Sequence, residues 1–364
     1  MSAPGPVFRV IDTGQRGGRA NMAFDQALIE LHVERRIPDT VRFLQFSPCV
    51  LVGRHQNLAE EVDLGYCAEH GVEVGRRVTG GGALYLDTSQ FGWELVFNRA
   101  TLGVRDLADA AQRICEAAAA GLSQLGVPVH YRPRNDLEID GRKVGGTGGF
   151  FDNDTLFYQG TVLLDCDAAR MTHALRVPAA KLAKRALTEA AARMIGLNQA
   201  LGRAVAPADA KAALLRGFAD RLGLTLQPGS ISQEEEARAA TLLHDEIGTE
   251  EFVYGPQAPA APHASAELAT AGGRLRVDFR LEGPDRGLIR EALITGDFFV
   301  TPPRIIYDLE ASLRDSAAAD APRAIRDMLA SRGATCLGFT PDDLARAAEQ
   351  ALRAAAPDAV AGQA

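Results

Sequence analysis

The sequence predicts an α+β protein built on a mixed or largely antiparallel sheet, and three observations lead there. Strand-like and helix-like stretches follow one another without the regular alternation of a doubly wound fold. "FGWELVF" at 91–97 alternates with a period of two, as a strand with one wet face does. "LEIDGRKV" at 137–144 sets Asp140-Gly141 between two short strands, the pair that suits a type I′ hairpin turn.

In chain order, "VFRVID" (7–12) and "VRFLQF" (41–46) read as strands. The helix "NMAFDQALIELHVERR" (21–36) lies between them, with Met22, Phe24, Leu28, Leu31 and His32 near helical spacing and Pro38 ending the run. "CVLVG" (49–53) is a strand, and "VDLGYCAEHG" (62–71) a short helix closed by Gly71. Residues 104–125 form a long Ala-rich helix, 155–165 a further strand, and 179–223 helices with breaks. Trp93 and Phe91 are expected in the core. "YGPQAPAAPHASAE" (254–267) has the composition of a linker. It divides a first domain over 1–255 from a linker at 256–266 and a small α/β domain over 267–364, with strands at "GRLRVDFRL" and "GLIREALIT" and helices from Ile305 to Arg353.

With 364 residues, 46% of them hydrophobic and 24% charged, the chain is an ordinary globular protein with room for two domains. Nothing near eighteen consecutive apolar residues occurs, and the N-terminus lacks a basic stretch followed by an apolar core, so neither a membrane span nor a secretory signal is expected. The five cysteines, 49, 67, 115, 166 and 336, are scattered and never in a C-x-x-C pair. They point to reduced thiols in a cytoplasmic protein. The seven histidines show no H-x-x-x-H spacing, so no metal ligand set is expected from the sequence. A net charge of −8 argues against nucleic-acid binding. Within it, residues 170–193 carry six basic side chains and one acidic one, which reads equally as a surface suited to an anionic ligand or an acidic protein and as a plain solvated helix face.

Two stretches could carry chemistry. "RRVTGGGALYLD" (76–87) joins two arginines to Gly80-Gly81-Gly82. Glycines let backbone N–H groups approach an anion, and arginine supplies charge in a fork that matches phosphate or carboxylate. Neither a P-loop nor a G-x-G-x-x-G spacing is present, and a plain glycine-rich hairpin remains an equal reading. "RNDLEIDGRKVGGTGG" (134–149) puts Lys143 just beyond the tight turn, followed by Gly145 and Gly146. A lysine there can reach over a ligand that the glycine backbone leaves room for, and a surface lysine after a turn is the plainer alternative.

Together these stretches resemble the lipoate–protein ligase family. "ANMAFDQALIE" (20–30), "VRFLQFSPCVLVGRHQNLAEEVD" (41–63), "GVEVGRRVTGGGALYLD" (71–87), "RNDLEIDGRKVGGTG" (134–148), "YQGTVLLDCD" (158–167) and "KLAKRALTEAAARMIGL" (181–197) are similar to its motifs and stand in the family's order. "ALITGDFF" (292–299) resembles the small accessory domain of such ligases. Gln159 stands where the family often has histidine, and Gly145 where a serine commonly follows the lysine.

The resemblance implies the biotin/lipoate ligase fold, related to class II synthetases. It also implies an enzyme that uses ATP with Mg2+ to convert lipoate or octanoate to acyl-AMP. The acyl group would then pass to a lysine of a lipoyl carrier, such as a 2-oxoacid dehydrogenase E2, a glycine cleavage H protein or an H-like protein. It makes Lys143 the catalytic residue. Arg77, the amides of Gly82, Ala83, Leu84 and Tyr85, and Asp136 would face ATP. Arg76, Gly80, Gly81, Gly146 and Thr147 would face lipoate, and Lys181 and Lys184 the carrier. Two alternatives stay open: an octanoyl or lipoyl acyltransferase of the same fold working through a cysteine thioester, and a non-catalytic lipoate- or carrier-binding protein.

Overall fold

The computed structural model describes residues 5–133, 135–166, 168–176, 193–255, 264–270 and 272–355. Its contacts divide the chain into two compact units: one of Met1–Val52, Leu58–Thr79 and Ala83–Val253, the other of Gly53–Asn57, Gly80–Gly82 and Tyr254–Ala364.

The first unit opens with β1 (Val7–Arg16), α1 (Gly18–Val33), β2 (Thr40–Phe46) and β3 (Cys49–Val52), then α2 (Leu58–Glu61) and α3 (Leu64–Glu69). Strands β4 (Glu73–Arg76), β5 (Leu84–Leu86) and β6 (Gln90–Asn98) precede α4 (Arg99–Leu102) and α5 (Leu107–Ser123). The centre is a run of strands: β7 (His130–Arg132), β8 (Asp136–Ile139), β9 (Arg142–Asp152) and β10 (Thr155–Leu163). It closes with α6 (Ala168–Ala174), α7 (Leu197–Leu201), α8 (Pro207–Leu222), β11 (Thr225–Pro228), α9 (Gln233–Asp245) and α10 (Glu250–Tyr254).

Eight strands form one sheet in the order β11-β1-β2-β6-β10-β9-β8-β7. β1 pairs in parallel with β2 and β11, and the remaining pairs are antiparallel, so the sheet is mixed as the sequence predicts. A smaller sheet runs β4-β3-β5. Helix α1 is covered on all sides and buries Phe24 and Leu28 in a cluster with Leu44, Val96 and Phe157. Trp93 and Phe91 are fully buried.

The helix α1 starts three residues earlier than expected, at Gly18, and stops at Val33 because Arg35 turns to a positive φ of 59°. Residues 224–254 carry no assigned element in the sequence reading and hold β11, α9 and α10. The signal for α9 was present: Ser232 and Glu235 form a reciprocal capping box. Ion pairs then hold α9 in place, from Arg9 to Glu235 (2.5 Å), Arg16 to Glu236 (2.5 Å) and Arg238 to Glu30 (2.8 Å).

A buried polar knot lies under α1. The Arg42 guanidinium is fully buried and donates to Asp25 (2.5 Å), Glu94 (2.9 Å), Asn21 (2.8 Å) and Thr13 (3.0 Å). Two carboxylates then share one cation. Burial first, and the Glu94 charge next, push the Asp25 carboxyl well above its ordinary range. Asp25 Oδ2 and Glu94 Oε1 receive no donor, and a proton held between the two acids gives both a partner.

In the second unit, β12 (Ala264–Thr270), β13 (Gly273–Glu282) and β14 (Leu288–Gly296) form an antiparallel sheet, and β15 (Phe299–Thr301) pairs with β16 (Thr335–Leu337). Helices α11 (Ile305–Leu313), α12 (Ala321–Ser331) and α13 (Pro341–Ala355) close over Leu275, Val277, Phe279 and Ile294. The expected linker is shortened at its end, since β12 already begins at Ala264. Its Ala- and Ser-rich composition looks like a spacer, while pairing with β13 makes it a strand. Glu310 on α11 accepts the Ile294 amide (2.7 Å), and burial raises its carboxyl to about 7.

Two stability predictions follow from these buried charges. Arg42→Met leaves two acids in the core without their cation and is expected to cost ~3–5 kcal/mol in urea unfolding. Glu310 has a raised folded-state pKa, so its contribution is present below the unfolded value of 4.5 and is lost as pH rises through about 7. A stability decline on the order of 1–3 kcal/mol between pH 5 and 8 is expected for the native chain, and Glu310→Gln should flatten it.

Candidate active site

The hairpin that carries Lys143 forms as its turn residues require. Asp140 and Gly141 both take positive φ (49° and 72°), and β8 pairs with β9 across them. The ladder then skips a residue. Leu137 pairs with Gly145 but Glu138 pairs with Lys143, which leaves Val144 as the extra residue of a bulge. Without it, Lys143 and Gly146 would point to opposite faces; with it they share one. A Cβ added to Gly146 would lie 2.9 Å from Lys143 Nζ, so the missing side chain is the space the ammonium occupies. The backbone of Lys143 is clamped from the other side as well. Its N–H donates to Arg193 O (2.7 Å) and its carbonyl accepts from Ile195 N (3.0 Å).

The ammonium pairs with Asp136 (2.8 Å), whose other oxygen accepts from Arg132. Burial works to raise the Asp136 carboxyl, and the charges of Lys143 and Arg132 outweigh it, so the group sits below its ordinary carboxylate value. Lys143 is one-third exposed while Asp136 is largely covered. The result is a positive group at a partly open surface, held by a buried acid and free of steric cover from residue 146. It can exchange its carboxylate partner for the oxygens of an incoming anion.

Thr147 faces the other way. Its hydroxyl lies 2.9 Å from Tyr158 OH, 3.4 Å from Cys115 Sγ and 3.2 Å from Asn135 O, in a buried knot between β9 and α5. The two arginines of "RRVTGGG" are both buried. Arg76 donates to Phe252 O (3.0 Å) and Val253 O (3.1 Å), and Arg77 to Leu51 O (2.7 Å). Leu84 and Tyr85 lie in β5, opposite Leu51 and Val50, and Ala83 is half-buried ahead of them. Gln159, the departure from the family pattern, donates to Thr79 (2.7 Å) and so ties the signature loop to β10.

The triple glycine belongs to the second unit. There Gly81 N donates to Phe298 O (3.2 Å), and a Cβ on Gly80 would lie 1.9 Å from the same oxygen. Bare backbone at Gly80 is therefore needed for a main chain to pass. Gly82 is exposed, with Asp297 Oδ1 at 4.0 Å from a Cβ placed on it. Lys181 and Lys184 lie outside the described residues. Among the described residues no cluster of three His, Cys, Asp or Glu side chains could hold a metal ion, and no helix is long and apolar enough to cross a membrane.

Sequence reasoning missed Arg132 and Glu138. Arg132 Nε reaches Glu138 Oε1 at 2.6 Å while its other end holds Asp136. A three-residue strand gives no periodicity to read, so only the pairing of β7 with β8 brings these charges together.

A mixed sheet of this kind flanked by helices is the fold of solved lipoate–protein ligases. A bipartite lipoate protein ligase from Thermoplasma acidophilum matches it with a TM-score of 0.62 at 24% identity, covering 70% of this chain and all of that one. LipL1 from P. falciparum, solved with lipoate, matches with a TM-score of 0.70 at 18% identity over 88% of this chain and 94% of its own. The chain belongs to the family of the lipoyl protein ligase A/B catalytic domain, whose profile matches residues 18–219. Octanoyltransferase LipM of Symbiobacterium thermophilum is 31% identical over 67% of this chain and 97% of its own length. Lipoate–protein ligase 1 of Staphylococcus aureus is 25% identical over 78% of this chain and 84% of its own.

Gly146→Ala tests the packing under the ammonium. It should displace the Lys143 side chain and lower turnover at least tenfold, with the unfolding midpoint changed little, since the added methyl meets only the end of that flexible side chain.

Proposed function

We propose that this protein is an ATP-dependent lipoate–protein ligase acting on lipoate or octanoate. The acid's carboxylate attacks the α-phosphate of ATP, the α–β bond breaks and pyrophosphate leaves. The amine of a carrier lysine then attacks the acyl carbonyl, AMP departs with the electron pair, and the amine proton goes to solvent. Both steps gather negative charge on oxygen, so catalysis is mainly positioning and charge neutralisation.

The observation that carries this reading is the Lys143 ammonium, fixed by its bulge over Gly146 and paired with an exchangeable carboxylate. Mg2+ would ride on the triphosphate, as it does where a protein offers few carboxylates, with Asp136 proposed to support that region. Two further features favour the ligase route. Matches to named lipoate–protein ligases span 74–78% of the chain, against 65–68% for the octanoyltransferases. The thiols of the catalytic fold at Cys49, Cys67 and Cys115 are buried, and burial raises those of Cys67 and Cys115 to about 11, which disfavours a thiolate. An E2 lipoyl domain or an H-type protein is the proposed acceptor, met by the basic stretch around Lys181 and Lys184.

A second reading has its own support, because several of the most similar curated relatives are octanoyltransferases. On that reading Cys166, half-buried just past β10, is the candidate thiol for a thioester, although Asp165 and Asp167 on either side of it in the sequence disfavour its thiolate.

Mixing the protein with ATP, Mg2+ and lipoate, with and without a lipoyl carrier, separates the two. The ligase reading expects pyrophosphate and acyl-AMP without carrier and a modified carrier lysine with it. Lys143→Met should lower the rate by roughly 10²–10³-fold, the loss of one oxyanion-stabilising donor. ATP-independent octanoyl transfer that Cys166→Ser abolishes would establish the alternative. Reversing Lys181 and Lys184 to glutamate should weaken carrier transfer and spare acyl-AMP formation.

A further inference from the structure

Four charges surround the reactive end of the hairpin, and their arrangement assigns a role to a residue outside the family's motifs. Asp136 and Glu138 are two apart on β8 and project to the same face. Lys143 is the ladder partner of Glu138 and the ion-pair partner of Asp136. Two carboxylates therefore compete for one ammonium. Arg132, on the neighbouring strand opposite Asp136, bridges both acids, with Nε on Glu138 Oε1 (2.6 Å) and a terminal nitrogen on Asp136 Oδ2.

We propose that Arg132 is a positioning residue that keeps Lys143 available to substrate. With Arg132 in place the four groups sum to zero charge, Glu138 is turned to the guanidinium, and Lys143 has one carboxylate to exchange. Without it the local charge is −1, both acids turn to the ammonium, and an arriving carboxylate or phosphate meets repulsion as well as a more tightly held lysine. The fork of arginine matters, because a point charge cannot hold two carboxylates at once in this geometry. This rests on the reading that Lys143 serves the reacting anion, whichever acyl donor is used.

The test is rescue by a second charge change. Pyrophosphate release with ATP and lipoate, and acyl transfer from an octanoyl carrier, are measured in parallel on the full chain. The donor that the native protein turns over defines the assay, so failure of the ligase reading shows as an inactive first arm and leaves the second to report on Arg132. Arg132→Gln is expected to lower kcat/KM about tenfold, chiefly through KM for the anionic substrate. Arg132→Gln combined with Glu138→Gln restores the charge balance and should recover activity to within about threefold of the native value. Arg132→Lys should fall between. An Arg132→Gln variant within twofold of native activity overturns the proposal. So does a double variant no better than the single one, because a merely structural clamp would not be repaired by removing its second anchor.

Discussion

One ammonium held against one carboxylate organises the hairpin that carries Lys143. An isolated Lys–Asp pair at a surface is worth little, because solvent screens it and side-chain entropy opposes it. Here the pair sits at a partly covered edge, the lysine backbone is bonded on both sides, and the acid is anchored by a second cation. The attraction does less for stability than for readiness. It holds a positive charge in one orientation, and on the proposed function that charge is the prepared electrostatics that would lower a barrier without a reorganisation cost.

The bulge at Val144 gives that charge its direction. A regular ladder would send residues 143 and 146 to opposite faces, and a side chain at 146 would then meet no conflict. The extra residue brings them together, and a side chain at 146 would have to displace the end of the lysine. The sequence K-V-G-G is thus a statement about backbone geometry as well as chemistry.

Local features were legible in the sequence and tertiary ones were not. Asp140-Gly141 announced the hairpin because a type I′ turn depends on two residues alone. Alternation at 91–97 announced a strand with one wet face; the strand is there, but Gln90 through Phe97 are all buried, because β6 lies inside the sheet between β2 and β10. By contrast, the charges of Arg76 and Arg77 read as ligand contacts, while in the fold both are buried with bonds to main-chain carbonyls supplied by residues 51, 252 and 253. Nothing near them in sequence shows that those carbonyls will arrive. Residues 264–267 looked like spacer because alanine and serine carry little strand preference, and the partner strand decided the matter. Arg132 escaped notice for the same reason, its partners lying across a strand pair too short to leave a pattern.

The meeting of Gly81 with the Phe298 carbonyl has a bearing on biosynthesis. The loops at 53–57 and 80–82 belong to the compact unit completed by residues 254–364, some two hundred positions later. A ribosome emitting the chain from its N-terminus releases those loops long before the strand that fastens them exists. The bond from Gly81 to the Phe298 carbonyl therefore forms only late in translation, and any version of the protein cut short before residue 298 would lack it.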